Sequence, residues 1–508
     1  MKHLYLSILS LFIFTGTIFS QTTISAKIID STTNEPIPFA TISVNDKSGV
    51  ISSESGEFSL HISSEVTASD SLLISCLGYE EKKFAAQDFN QELIRLQTKD
   101  IELDEVVLLN KNYTVDEIIE KVEDSLEKNY DQDFIKQKIF YRSADHTTIL
   151  DNHIKIKEST IPEINQAFTD SILQTIPQNT SYYTEILADF YGRVKEDEQT
   201  VKLDIKKASE LYDKNNQLSF SAIEDKLQKI MRKHVKRDSY FKIKSGIIGT
   251  KSEIDSSLFE DEALDTLAEQ RMKKEEERKK NFLSYRAGQL NSLLKDNFLY
   301  EDSDLNFIHK SRKYDFELDG LLYLQEDLVY KIIFRPSGGP DYKGVMYVNA
   351  YDFAVIRLEY ENVKPVKKFN LFGVSYYEYL QKGIFLYTKN NRDKYVLKYQ
   401  EETKGQKVGF DRPFKIIEKN KNVKGRRKQN EVSTHVDLTI QNIEKFELVV
   451  FENETINKED YEAFTPEADV MPVYLPNYNP EFWKGYNIIP PNDAIKEFTS
   501  LPEESQNE

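Results

Sequence analysis

The 508-residue sequence predicts a mainly β protein with helical insertions. An N-terminal β-sandwich precedes an α+β region built on a large curved antiparallel sheet. Three observations carry this reading. Short alternating apolar runs between turn residues fill 21–97. Helical periodicity is confined to a few segments further on. From Tyr314 to about Phe451, runs rich in aromatic and β-branched residues return. The 29 Tyr and 30 Phe against one Trp are a strand-friendly profile.

Met1 to Ser20 has the three parts of a secretory leader: Lys2, an apolar run from Leu4 to Phe14, and small Ser20 before polar Gln21. The run is too short to span a bilayer, which needs roughly 20 apolar residues. No Cys stands at the cleavage point, so no lipoprotein anchor is expected. No later segment is long and apolar enough for a spanning helix. The chain is expected to be exported, to the periplasm or the outer membrane's surroundings. Formal charge is −18, and −19 once Lys2 leaves with the leader. That balance argues against nucleic acid, whose phosphates need a cationic face. It also disfavours broad adhesion to an anionic membrane. The single cysteine, Cys76, sits in the apolar run SLLISCLGY. It can form no internal disulfide and reads as a small buried hydrophobe.

Ile24, Ala26 and Ile28 alternate onto one face of a first strand, and Thr33-Asn34-Glu35-Pro36 is a turn. Phe39, Thr41 and Ser43 alternate with Ala40, Ile42 and Val44. Gly49 and Gly56 are placed to supply positive φ in turns. Phe58 and Leu60 continue a strand, Leu72–Ser75 is a buried one, and Glu92–Leu96 is the last. Pro36, Ile37, Ala40, Ile42, Val44, Gly49, Gly56, Phe58, Ile74, Ser75, Gly78 and Tyr79 together resemble the carboxypeptidase-like regulatory domain. That is a transthyretin-like module common in the envelope of Bacteroidetes-type bacteria. Ser52-Ser53-Glu54 stands where that family usually has Thr-Asp, and the usual Gly opening the first strand is absent. The resemblance implies an accessory module without catalytic residues.

The run Ile101–Leu108 is similar to one that follows this module in TonB-dependent receptors. Here it leads instead to a capping box at Thr114–Glu117, opening a helix with Val115, Ile118, Ile119, Val122 and Leu126 on one face. Asn129-Tyr130 and the strand IFYR at 139–142 follow, an order similar to Bacteroidetes envelope proteins that fuse this module to a domain of unknown function. Strand-like pieces fall at Ile154–Ile156 and Thr200–Ile205. A second capping box at Ser221–Glu224 opens a helix faced by Ile223, Leu227, Ile230 and Met231. Asp255–Lys280, centred on KKEEERKK, reads as a solvated charged helix or excursion.

Strands then follow at Val329–Phe334, Gly344–Asn349, Ala354–Tyr360, Tyr376–Tyr387 and Tyr395–Tyr399, with a turn at Arg335–Pro340. Their order is similar in architecture to lipoprotein carriers of the LolA type. The domains expected are 1–20 leader, 21–97 sandwich, 98–130 linker and helix, 131–313 mixed α+β, 314–490 β-rich, and 491–508 tail. An outer-membrane barrel fits poorly: Lys and Glu fall on both faces of Lys394–Glu402 and Glu418–Lys428, and no aromatic strand ends the chain.

No catalytic constellation emerges. There is no HExxH, HxxE, GxSxG, Walker loop or GxGxxG. His146 and His153, seven residues apart, read as exposed polar residues rather than metal ligands. Asp302 and Asp304 read as a solvated acidic loop rather than a calcium site. KNKNVKGRRK at 419–428 reads as a hairpin loop, and Ser337-Gly338-Gly339-Pro340 as a turn. No catalytic, cofactor or metal residue is therefore assigned. The sequence points to a non-catalytic envelope protein that binds or scaffolds an unidentified envelope protein. The alternative is a carrier of a lipid or other apolar ligand, with Tyr and Phe of 314–451 lining an open cavity. A hydrolase of unrecognised type is the third reading.

Overall fold

The computed structural model describes residues 22–45, 48–62, 66–99, 113–193, 200–246, 248–254, 263–339, 342–424, 427–467 and 470–500. The leader and the run at Ile101–Leu108 lie outside them. The chain divides into two compact units.

The first unit comprises residues 1–103 with 322–326 and 479–492. Its strands are β1 (Thr22–Asp30), β2 (Thr41–Val44), β3 (Ser48–Ile51), β4 (Glu57–Ile62), β5 (Ser71–Ser75), β6 (Lys82–Ala85) and β7 (Leu93–Leu96). They form a three-stranded sheet in the order β4-β1-β7 and a four-stranded one in the order β3-β2-β5-β6. The alternation works as expected: Ile24, Ala26 and Ile28 are buried, as are Ile42, Val44, Phe58, Leu60, Leu72 and Ile74. Cys76 is buried too.

Two expectations change. Phe39 is buried beside Ala40 rather than alternating with it, because it precedes the strand with φ of 60°. Gly49 makes no turn. It lies within β3, where a Cβ would sit 2.6 Å from the Ile42 carbonyl oxygen. Gly56 does hold positive φ, at 75°. The departure at Ser52 has a function in the fold. Its buried hydroxyl accepts from Ala40 N at 2.9 Å and donates to Ile37 O at 2.8 Å. Tyr79 donates to the Asp30 carboxylate at 3.1 Å, which also accepts from the backbone of Thr32 and Thr33. Those backbone donors hold Asp30 below its usual range, while burial and Asp30 push Tyr79 up to about 12. Asn487 pairs with the backbone of His61 on β4, accepting at 2.6 Å and donating at 3.2 Å.

The second unit comprises residues 104–321, 327–478 and 493–508. Its elements begin with α1 (Val115–Asn129), β8 (Ile135–Ser159), α2 (Gln166–Thr175), β9 (Asn179–Arg193), β10 (Thr200–Tyr212), α3 (Lys214–His234), β11 (Ser239–Ser245), β12 (Ile248–Glu253) and α4 (Ala263–Lys295). They continue with β13 (Tyr314–Leu324), β14 (Asp327–Pro336), β15 (Tyr342–Asn349), β16 (Val355–Asn362), β17 (Lys367–Leu371), β18 (Val374–Lys389), β19 (Tyr395–Asn420), β20 (Lys428–Thr455), α5 (Lys458–Ala463), β21 (Val473–Leu475) and α6 (Asp493–Lys496).

One sheet of 14 strands unites them, in the order β13-β14-β15-β16-β18-β19-β20-β8-β9-β10-β21, with β11, β12 and β17 attached at its side. Among the described strands the path is open. The stretches 131–313 and 314–490 thus share one sheet, joined where β20 pairs with β8 from Val432↔Ser159 to Thr455↔Ile135.

The Thr114–Glu117 box caps α1, with Ile118, Ile119, Val122 and Leu126 buried. The box at Ser221–Glu224 lies inside a helix and does not open one. α3 starts earlier, at Lys214, because the Asp213 carboxylate accepts from Asn215 N at 2.9 Å. Gly344 and Gly383 make room for rings. A Cβ on Gly344 would lie 2.6 Å from Phe334 Cζ, and one on Gly383 2.7 Å from the Tyr360 hydroxyl.

Candidate functional site

The register sorts the large sheet's central strands into two faces. Ile139, Tyr141 and Ser143 of β8 stand level with Ala188, Ile186 and Thr184 of β9 and with Val450, Leu448 and Phe446 of β20. Helix α4 covers this face. Residues 255–262 of the expected charged segment lie outside the described residues; Met272, Lys273, Glu276, Glu277 and Lys280 of α4 are exposed, but its second half is not wholly so. Phe282, Leu290, Leu293 and Leu294 are buried against Tyr141, Ile186, Ala208 and Leu448. Their i, i+3, i+4 spacing gives the helix a core-facing stripe.

The opposite face carries Arg142, whose guanidinium is 1% exposed. Its Nη2 lies 2.7 Å from Glu185 Oε1 and its Nη1 3.2 Å from Glu447 Oε2. Ala144, Tyr183 and Leu211 continue that face and pack against Ile495 and Phe498 of the C-terminal segment. Burial, with Glu185 near, pushes Tyr478 up to about 12.

A cleft of about 500 Å³ opens between α4 and its face of the sheet. That is within the usual size of ligand pockets. Its helix wall is Arg278, Phe282, Tyr285, Arg286 and Gln289; its sheet wall is Ser143, Asp145, Tyr182, Glu210, Glu444 and Phe446. Arg286 is buried and held at several points. It donates to Thr184 Oγ1 at 2.7 Å, Gln289 Oε1 at 2.7 Å and Ser143 Oγ at 3.3 Å. Arg278 bonds the Tyr182 hydroxyl at 3.0 Å and pairs with Glu210. Buried Arg286 Nε and the Tyr141 hydroxyl have no hydrogen-bond partner among the described residues.

On the sheet wall, Asp145 and Glu444 are a directly opposed cross-strand pair. Like charges so placed destabilise a sheet. Asn442 bridges them, donating to Glu444 Oε1 at 3.2 Å and Asp145 Oδ2 at 3.4 Å. Burial, then the Asp145 charge, raise the pKa of Glu444. The cleft therefore sets a carboxylate pair and two fixed guanidiniums around one space. Among the described residues its lining has no His, Cys or Lys.

A second cavity, of about 280 Å³, lies among Leu126, Tyr130, Ile135, Leu294, Tyr387, Tyr395 and Leu397, rimmed by Glu123, Glu127 and Glu301. Its buried phenols are paired: Tyr130 donates to Val355 O at 2.8 Å, Tyr395 to Asp352 at 3.0 Å, and Asn297 donates to the Tyr387 hydroxyl at 2.8 Å. Of the rings of 314–451 expected to line an open cavity, Tyr387 and Tyr395 line this one. Others are packed: Phe298 lies edge-on to Phe385 and Tyr387, and Phe307 stacks on Phe334 at 4.3 Å. Segment 296–313 supplies those packing rings.

The other residues singled out by sequence do not converge. His146 and His153 both lie on β8, separated by roughly 23 Å of extended strand. His146 contacts Ser181 Oγ at 2.9 Å and is half-buried; exposed His153 contacts Asp151 at 2.6 Å. Asp302 and Asp304 are exposed on a loop. Residues 421–424 and Arg427 lie in the β19–β20 connection, with Lys421 3.3 Å from Glu253. Ser337-Gly338-Gly339 follows β14 as a bend. Among the described residues no three His, Cys, Asp or Glu side chains are grouped to hold a metal ion, and no helix is long and apolar enough to cross a membrane.

Residues 24–108 match the family described as the CarboxypepD_reg-like domain. The first unit's sandwich is a regulatory-like domain of that family. Such a domain is non-catalytic. No curated protein matches the chain. Among solved structures, a LolA superfamily protein from Nitrosomonas europaea aligns with 70% of this chain and 98% of its own, at 10% identity and a TM-score of 0.17. A superposition that poor carries no argument about this chain.

Proposed function

We propose that this is a non-catalytic binding protein of the cell envelope, exported to the periplasm or the outer membrane's surroundings of a Bacteroidetes-type cell. The regulatory-like sandwich is its accessory. Its binding element is the cleft under α4, and it takes an envelope component bearing a basic group. The observation that carries the reading is the opposed pair Asp145 and Glu444. It is costly to the sheet and opens into a cleft whose guanidiniums are already engaged by Glu210 and Thr184. A basic group seated between the two carboxylates would relieve that cost.

The test is native mass spectrometry of the chain from Gln21, purified without detergent, beside an Asp145→Asn/Glu444→Gln double variant. A species that copurifies with the wild type and is lost from the variant supports the reading. Equal retention by both sinks it. A second reading, carriage of an apolar ligand, draws on the smaller cavity with its Leu126, Leu294 and Leu397 walls. Copurifying lipid that survives the double variant but is lost on Leu397→Glu would favour it.

A further inference from the structure

The hairpin of β17 and β18 is out of keeping with its surroundings. Its last pairs run from Phe369↔Tyr376 through Asn370↔Ser375 to Leu371↔Val374, and Phe372-Gly373 is the two-residue turn. Phe372 has φ of 52° and Gly373 of 75°, so both central residues are left-handed. Such a turn calls for Asn or Gly at its first central position. A bulky Phe there is a backbone outlier, so the turn's own geometry does not explain it. The tip is nonetheless fixed, since Gly373 O accepts from Asp411 N of β19 at 2.7 Å. The fold thus holds Phe372 outward, at 65% exposed.

Its neighbours extend the apolar surface. Phe369 is 47% exposed, Leu371 50% and Val408 45%. The register puts Phe369, Tyr376 and Val408 in one row across three strands. Large exposed apolar groups clustered on a fixed protrusion mark an interaction surface rather than a chance exposure. The charge around them selects the partner. In a chain of formal charge −18, residues 364–382 carry Lys364, Lys367, Lys368 and Lys382 against Glu378 alone, a net of +3. Glu378 is itself buried, 3.6 Å from Lys367. Exposed Asp411 lies beside the tip. Exposed aromatic and aliphatic side chains on a strand that also carries Lys367 and Lys368 suit an anionic lipid surface: the rings enter the acyl boundary while the ammonium groups stay at the phosphates.

We propose that the β17–β18 hairpin docks this protein on an anionic phospholipid bilayer, with Phe372 and Leu371 inserted and Lys367 and Lys368 at the headgroups. The acidic remainder of the chain keeps the rest of its surface off the membrane, so contact is confined to this tip.

The test is co-sedimentation of the chain from Gln21 with vesicles of phosphatidylethanolamine and phosphatidylglycerol, against vesicles of phosphatidylcholine alone. The wild type should bind the anionic vesicles, and less so as salt rises. Phe372→Asn should weaken binding roughly ten-fold with no loss of thermal stability, since Asn suits the turn better than Phe. Phe372→Trp should show blue-shifted emission quenched by brominated acyl chains; the native Trp483 is buried at 3% exposure and gives the background. The proposal is overturned if the wild type stays in the supernatant, if Phe372→Asn binds as well as the wild type, or if the emission added by Phe372→Trp ignores the brominated chains. It is equally overturned, in favour of a second copy as the occupant, if the wild type dimerises without vesicles and Phe372→Asn does not.

Discussion

Replacing Arg142 with Met should unfold the large sheet's unit at a markedly lower temperature. Arg142 is 1% exposed and Glu185 fully buried, and the Nε and Nη2 atoms of the guanidinium both reach Glu185 Oε1, at 2.8 and 2.7 Å. Its Nη1 bonds Glu447 at 3.2 Å. Met fills a similar volume, so little of the loss comes from packing. It comes from taking the shared cation away from two carboxylates on a covered face. Ser209 also donates to Glu185 at 3.4 Å, and Lys445 lies 4.0 Å from Glu447. Breaking a buried pair from one side costs about 3–5 kcal/mol. At the unfolding entropy of a unit this size, that is a fall in Tm of roughly 5 °C. Replacing all three residues with apolar ones of similar volume should recover most of the loss, because the desolvation cost of the ions leaves with them. Calorimetry and urea titration of the single and triple variants decide it. A single variant that loses under about 1 kcal/mol would refute the reasoning, as would a triple variant no more stable than the single one.

Three other outcomes are expected. Glu444→Gln should stabilise the protein at neutral pH. Burial and Asp145 raise the folded pKa of Glu444, so its favourable contribution is present below the unfolded value of about 4.3 and is lost as pH rises through the folded value. The variant's gain in urea midpoint should therefore vanish near pH 4 and grow towards pH 7; a gain that does not depend on pH would contradict the burial argument. Gly344→Ala should cost about 2–3 kcal/mol, read as a lower urea midpoint, since the new Cβ would lie 2.0 Å from Glu359 O as well as against the Phe334 ring. Thr114→Ala should cost about 1 kcal/mol, read as a lower urea midpoint, by removing one half of the cap on α1.

Local chemistry was readable wherever one segment decides its own structure. The alternation of Ile24, Ala26 and Ile28 fixes which side of β1 is buried, whatever it pairs with. The Thr114–Glu117 box marks the start of α1 because both of its hydrogen bonds lie within four residues. The same local logic failed at Ser221, since a cap signal cannot reveal that Asp213 has already begun the helix upstream. Gly49 shows the limit differently: its reason is the carbonyl of Ile42 on the neighbouring strand, and a single chain segment does not display its neighbour.

The sequence by itself determined a β-sandwich followed by a β-rich region with a few capped helices, because periodicity and caps are properties of adjacent residues. Tertiary structure alone decided the candidate site. Asp145 and Glu444 become a pair only when β8 and β20, nearly 300 residues apart in the chain, adopt one register. Arg278 and Arg286 reach them from a helix whose charge run hides its apolar stripe. The aromatics of 314–451 read equally well as cavity wall or packed core; the placement of Phe298 and Phe307 made Phe385 and Phe334 core, while Tyr387 and Tyr395 line a cavity. Cross-strand register and helix docking are set by cooperative burial over the whole unit, which no local pattern encodes.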